Sequence, residues 1–212
     1  MKTAIIGLGN IGTQVAANLI AGGAQVIVAD RGATKAQDLS QASGGKAQAL
    51  PVAAAVAQAD IVVLAIWFDA IKAFLSENRQ SLSGKIIVDP SNPIAPDGAG
   101  GFKKTIPQEQ SAGQIIAGLL PPGARLVKAF GTVGAASLKT GARRTPEPNA
   151  LFYASDDRDA GSAVAELIEA SGFAPVRVGG IDQSIRIEVF GDLHQFGKLG
   201  RLVTAKEAAA LL

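Results

Sequence analysis

Residues 7–12 read GLGNIG, three glycines at the spacing G-x-G-x-x-G. Each has a chemical use. Gly7 permits a tight turn, Gly9 lets a pyrophosphate approach the main chain, and Gly12 lets a helix pack closely on the strand before it. Leu8, Asn10 and Ile11 fill the intervening positions and open that helix, whose first N–H groups lack partners within it and suit a phosphate. The spacing alone is weak in a chain with 25 glycines. Its context is stronger, because the run follows the apolar segment TAIIG and opens the amphipathic segment NIGTQVAANLIAGG.

A second chemical feature stands at VIVADRGATK, residues 26–35. Asp30 lies at about the offset from the glycines where an acid reads the ribose hydroxyls of NAD. Arg31 beside it, with Lys35, suits the extra 2′-phosphate of NADP through paired, charge-assisted hydrogen bonds. Adjacent residues at a strand end point in opposite directions, so the two can have separate tasks. Guanidinium–phosphate geometry favours NADP(H) over NAD(H), and a plain Asp–Arg surface pair is the bland alternative.

Other chemistry is sparse. The chain has no cysteine, which excludes disulfides, thiolate catalysis and thiolate-bound zinc. No Ser-His-Asp set, paired-carboxylate signature or metal motif is recognisable. The one histidine, His194, is the single candidate for acid–base work near neutral pH. A helix residue satisfied by Asp192 or Glu188 is the more ordinary reading of it. Hydride transfer between two rings needs no protein nucleophile, only positioning and exclusion of water.

These residues must be held by a fold. Apolar runs alternate with helical patterns: TAIIG (3–7), QVIVAD (25–30), IVVLAI (61–66), KIIVDP (85–90), ARLVKAF (124–130), ALFYASD (150–156) and APVRVGG (174–180) read as strands. Between them, NIGTQVAANLIAGG ends at Gly22-Gly23, TKAQDLSQASG has Thr34 as an N-cap, and FDAIKAFLSENRQSL is amphipathic. The alternation implies an α/β, doubly wound, mainly parallel sheet. Residues 89–110, rich in proline and glycine, read as a long ordered loop, and KTGARRTPEPN (139–149) as a second connector. Residues 181–212 carry apolar residues at helical spacing and read as a C-terminal helical extension closing the pocket, so residues 1–212 are expected to form one domain.

Composition agrees. Hydrophobic residues are 48% and charged residues 18%, a balance against disorder, with a net charge of only +2. The basic pairs Lys103-Lys104 and Arg143-Arg144 are not interleaved with aromatics, so no nucleic-acid partner is expected. No stretch approaches a bilayer span, and the short apolar N-terminus runs straight into the glycine motif, so a cytoplasmic protein without a membrane partner is expected.

With these residues in hand, the chain resembles the deazaflavin-dependent NADP oxidoreductase family, the NADPH-dependent reductases of coenzyme F420, with STEAP metalloreductase domains as distant relatives. The carrying segments are AIIGLGNIG, DRGATKAQDL, VDPSNPIAPDG, LVKAFGTVGAASL and ASGFAPVRVGGIDQSIRIE. The resemblance implies a Rossmann-type fold, with Gly7, Leu8, Gly9, Asn10 and Ile11 around the pyrophosphate and Arg31 and Lys35 at the 2′-phosphate. It also implies Ile66 and Trp67 at the edge of the nicotinamide site, Asn92 and Pro93 in the Asn-Pro loop, and Thr132 and Val133 on the wall that faces the hydride acceptor; Ala65 is expected among the cofactor residues, and Phe130, Gly131 and His194 in the substrate pocket. Asp30 departs from the family's usual serine, and Gly131 from its usual asparagine.

Two other functions share the glycine loop. One is reduction of a small carbonyl or imine by NAD(P)H in a dimeric pocket. The other is non-catalytic nucleotide sensing, which needs neither the Asn-Pro loop nor the VKAFGTV segment. A small-molecule redox co-substrate, deazaflavin or flavin, and a homodimer are the expected partners.

Overall fold

A computed structural model describes residues 1–212. Its main sheet comprises β1 (Thr3–Ile6), β2 (Val26–Ala29), β3 (Ala47–Ala49), β4 (Ile61–Leu64), β5 (Ile86–Asp89), β8 (Arg125–Lys128), β9 (Ala150–Ala154) and β10 (Ala174–Gly179). The spatial order is β10-β9-β8-β5-β4-β1-β2-β3. Neighbours pair parallel except β8 and β9, which meet antiparallel at Lys128 and Ala154. The chain therefore has the expected α/β, doubly wound, mainly parallel architecture.

Burial on both faces explains the unbroken apolar strands. Ile5 of β1 faces one core with α1 (Asn10–Ala21), α2 (Ala33–Ala42), α6 (Ala135–Gly141) and α7 (Arg158–Ala170). Its neighbours Ala4 and Ile6 face the other core with α3 (Val52–Gln58), α4 (Phe68–Glu77) and α5 (Ala112–Ala117). No helix is long and apolar enough to cross a membrane.

Several expectations need correction. Residues 89–110 are not all loop: β6 (Ile94–Pro96) and β7 (Phe102–Lys104) pair as an antiparallel hairpin. The connector from residue 139 begins inside α6. Helix α2 starts one residue before Thr34 and is capped by the extended backbone of Gly32, with no side-chain cap.

The C-terminal extension departs most. Only α8 (Ser184–Ile187) and α9 (Ala205–Ala209) are α-helical there. Between them Phe190 has a φ of 75°, and a Cβ on Gly197 would lie 1.8 Å from the Gly191 carbonyl oxygen. The apolar spacing suited a helix, but a backbone crossing that only glycine permits prevails. The segment still covers β9: Ile187, Leu193, Val203 and Ala208 bury Ala150, Phe152 and Ala154.

Candidate functional site

The glycine loop links β1 to α1. Gly7 has a φ of 93°, and an added Cβ would stand 2.5 Å from the Ala65 carbonyl oxygen. At Gly12 the obstacle is closer, the Gly7 carbonyl oxygen at 1.9 Å. Gly9 differs, because nothing in the protein approaches within 4 Å of its Cβ position. Gly9 is also the N-cap of α1 and offers no side chain, so the first-turn N–H groups of Asn10, Ile11 and Gly12 find no acceptor in the chain. An open backbone, uncapped amides and the helix dipole together fit an anionic pyrophosphate.

A cleft of about 360 Å³ opens beside this turn, between Gly9 and Asn10, Lys35 of α2, and Ala135 and Lys139 of α6. It brings Leu8, Gly9, Asn10 and Lys35 together; Ile11, Gly12 and Arg31 are not in its lining. Lys139 is a wall residue that the sequence reading missed, since α6 comes from the far half of the sheet. At the end of β2, Asp30 Oδ1 accepts a hydrogen bond from the Arg31 backbone N–H at 2.8 Å. The Asp30 carboxylate forms no ion pair with the Arg31 guanidinium, and Arg31 and Lys35 are both exposed without carboxylate partners.

The remaining residues gather at the carboxyl edge of the sheet. Ala65 and Ile66 are half-buried after β4, and Trp67 is 64% exposed at the start of α4. Trp67 therefore lies outside the core. Asn92 is engaged on both sides of its amide: Nδ2 donates to the Gly131 carbonyl oxygen at 3.0 Å, and Oδ1 accepts from the Val189 N–H at 2.7 Å. Asn92 thus ties the Asn-Pro loop to the β8 loop and to the C-terminal segment, while Pro93 is buried.

The acceptor wall requires a correction. Phe130, Gly131, Thr132, Val133 and His194 are all buried, with Phe130 inside the main core. They form the layer behind the surface. A Cβ on Gly131 would meet the Pro90 carbonyl oxygen at 2.5 Å, so this loop packs too tightly for a side chain. The hydroxyls of Ser91 and Thr132 are buried and have no partner in the chain. The exposed aromatics of the chain are Trp67, Phe102, Phe190 and Phe196; the last three lie in segments that the sequence reads as loop or helix.

His194 is also corrected. Neither Asp192 nor Glu188 binds it: Asp192 pairs with Arg186 at 2.9 Å, and Glu188 accepts from the Ala112 and Gly113 N–H groups at 2.9 Å each. Instead His194 Nε2 donates to the Gly131 carbonyl oxygen at 2.8 Å, and Nδ1 accepts from the Phe196 N–H at 2.9 Å. Burial pushes its pKa down to about 4, so the ring is neutral and has no free nitrogen for a substrate.

This burial has a pH signature. The unfolded imidazole takes a proton near 6.5 and the folded one only near 4. The folded state is therefore fully favoured above the higher value and loses about 3 kcal/mol as pH falls through the interval. A His194→Gln chain is expected to lack that slope. Urea midpoints for both chains across the interval test it, and parallel curves would contradict the assignment.

Beneath the loop lies a charged cluster that spacing did not reveal. Lys128 Nζ pairs with Asp89 at 2.7 Å, donates to the Ser91 carbonyl oxygen, and stands 3.8 Å from Glu188. All three side chains are almost fully buried. Burial pushes the Glu188 carboxyl up, while Lys128 and the two N–H groups of α5 hold it down.

Comparison with known proteins accords with this geometry. Residues 2–93 match the family described as NADP oxidoreductase coenzyme F420-dependent. The chain is 28% identical over 201 residues to an F420-dependent NADP reductase of Methanothermobacter marburgensis, covering 89% of this chain and 88% of that one. The corresponding protein of Methanothermobacter thermautotrophicus is 29% identical, over 89% and 85% of the two chains. Among solved structures, a hypothetical protein from Sinorhizobium meliloti superposes with a TM-score of 0.84 and 30% identity, over 96% of this chain and 95% of that one.

Proposed function

We propose that the chain, whose residues 2–93 match the family described as NADP oxidoreductase coenzyme F420-dependent, passes a hydride between NADP(H) and a deazaflavin ring of the coenzyme F420 type. The enzyme is an NADP-dependent oxidoreductase; the deazaflavin acceptor is our reading. The observation that carries it is the uncapped start of α1 above the Gly7–Gly12 turn, beside a cationic cleft, together with the exposed aromatics Trp67, Phe190 and Phe196.

The residues divide the work. Gly9 and the first-turn amides of α1 receive the pyrophosphate, and Arg31 and Lys35 receive the 2′-phosphate. Asp30 is turned to its neighbour's N–H, which keeps one of its carboxylate oxygens occupied and stabilises the turn that presents Arg31. Ala65, Ile66 and Trp67 border the nicotinamide, and Trp67, Phe190 and Phe196 offer the acceptor ring flat apolar surface. Asn92 and His194 act as positioning residues, since both donate to the Gly131 carbonyl oxygen.

When bound, the dihydronicotinamide supplies a hydride from C4 to C5 of the deazaflavin, whose N1 takes a proton from water. The protein need only align the rings and limit water between them. A neutral, fully bonded His194 suits such a reaction better than one requiring a protein acid. The same reading expects a cytoplasmic homodimer that covers Leu211 and Leu212, which are exposed in the single chain. Light scattering checks this as the mass of two chains.

Titration followed by Trp67 emission, the chain's single tryptophan, tests the cofactor assignment. NADPH is expected to bind more tightly than NADH, with energy transfer from Trp67 to the reduced nicotinamide. Arg31→Ala is expected to weaken NADPH about 10- to 100-fold and leave NADH nearly unchanged, the size of a charged hydrogen bond. Equal loss for both dinucleotides would remove Arg31 from the 2′-phosphate.

A further inference from the structure

We propose that Lys139 is a third cationic contact for the dinucleotide, closing the phosphate cleft from the side opposite Lys35. The inference rests on the reading that NADP(H) occupies the glycine loop. Lys139 and Lys35 line the same cleft, one from α6 and the other from α2, together with Gly9 and Asn10 at the uncapped start of α1. Lys139 has neither an ion pair nor a hydrogen bond within the chain. Its ammonium is thus available to an anion.

The position of Lys139 is built rather than incidental. The preceding residue, Leu138, is fully buried, and its carbonyl oxygen accepts from Asn18 Nδ2 of α1 at 2.9 Å. Just beyond α6, Arg143 donates to the carbonyl oxygens of Asn18 at 2.6 Å, Ala170 at 2.8 Å and Ser171 at 3.2 Å. These bonds fix α6 against the helix whose N-terminus receives the phosphate. Lys139 is also in the last turn of α6, where its charge favours the helix end; that role leaves the ammonium exposed and free to reach across the cleft. The geometry implies a cofactor gripped from both halves of the sheet.

Calorimetric titration of wild type, Lys139→Ala and Lys139→Arg with NADPH and with NADH tests the proposal. Lys139→Ala is expected to bind NADPH about 10-fold more weakly, with a shallower salt dependence, while Lys139→Arg stays near wild type. Loss confined to NADPH assigns the contact to the 2′-phosphate, and equal loss for both assigns it to the pyrophosphate. Wild-type affinity of Lys139→Ala for both would overturn the proposal and leave the cofactor reading standing. Failure of the wild-type chain to bind either would sink both. Lys139 is exposed, so the variants are expected to melt with the wild type.

Discussion

Alanine at Gly12 is expected to destabilise the protein by about 3 kcal/mol and abolish dinucleotide binding, whereas alanine at Gly9 is expected to weaken binding alone. At Gly12 the new Cβ would lie 1.9 Å from the Gly7 carbonyl oxygen and 2.9 Å from the Ala65 Cβ. The first obstacle is backbone, so no rotamer relieves it, and α1 must move away from β1. At Gly9 the same Cβ meets nothing within 4 Å, so the folded chain accepts it. It would occupy the space where a pyrophosphate approaches the uncapped amides, and affinity is expected to fall about 100-fold or more, a cost of roughly 3 kcal/mol from steric exclusion. Urea unfolding and NADPH titration of both variants separate the two effects. A Gly9→Ala chain that binds NADPH like wild type would mean the ligand does not lie over the loop.

Replacing Lys128 with methionine is expected to cost about 3–5 kcal/mol, because it leaves buried carboxylates without their cation. Asp89 and Glu188 are as buried as Lys128 itself, and water cannot replace the lost charge. The cost carries a pH sign. Burial already raises the Glu188 pKa above its ordinary value, and Lys128 is the largest influence lowering it. Removing Lys128 raises it further. A raised carboxyl favours the folded state below its unfolded pKa and loses that contribution as pH rises through the folded value. The variant is therefore expected to be most destabilised at neutral and alkaline pH and to approach wild type in acid. Activity is expected to fall beyond what stability explains, because Lys128 also holds the Ser91 carbonyl oxygen and Glu188 holds the start of α5. Denaturant midpoints across pH, beside turnover, test this; a uniform loss at every pH would contradict it.

The sheet and the glycine loop were legible because each leaves a local signature. A strand buried on both faces must be continuously apolar, and a turn under a helix must lack side chains where backbone approaches backbone. Gly7 and Gly12 meet that demand, and the order of strands and helices then left few topologies. The partnerships made across long stretches of chain left no comparable mark. Lys128 finds Asp89 and Glu188, Asn92 finds Val189, and His194 finds Gly131 only after the fold brings distant segments together. Lys139 was missed for the same reason: its cleft exists only because α6 packs on α1. The C-terminal segment misled differently. Its apolar spacing suited a helix, but Gly191 and Gly197 bring two backbone stretches into contact and the chain makes turns instead. Asp30 and Arg31 show how a question posed by two adjacent residues needs geometry, since the carboxylate's hydrogen bond to the next N–H is invisible in the letters.

Transfer of an isotopic label tests whether the hydride passes from NADPH to the deazaflavin. NADPH carrying deuterium on the transferred position of C4 is incubated with the enzyme and oxidised coenzyme F420, and the reduced ring is examined by mass spectrometry and proton resonance. One deuterium is expected at C5 of the deazaflavin, with none exchanged to water and with the transfer lost in Gly9→Ala. Turnover that leaves C5 unlabelled, or binding of NADPH with no reduction of the deazaflavin, would contradict that transfer.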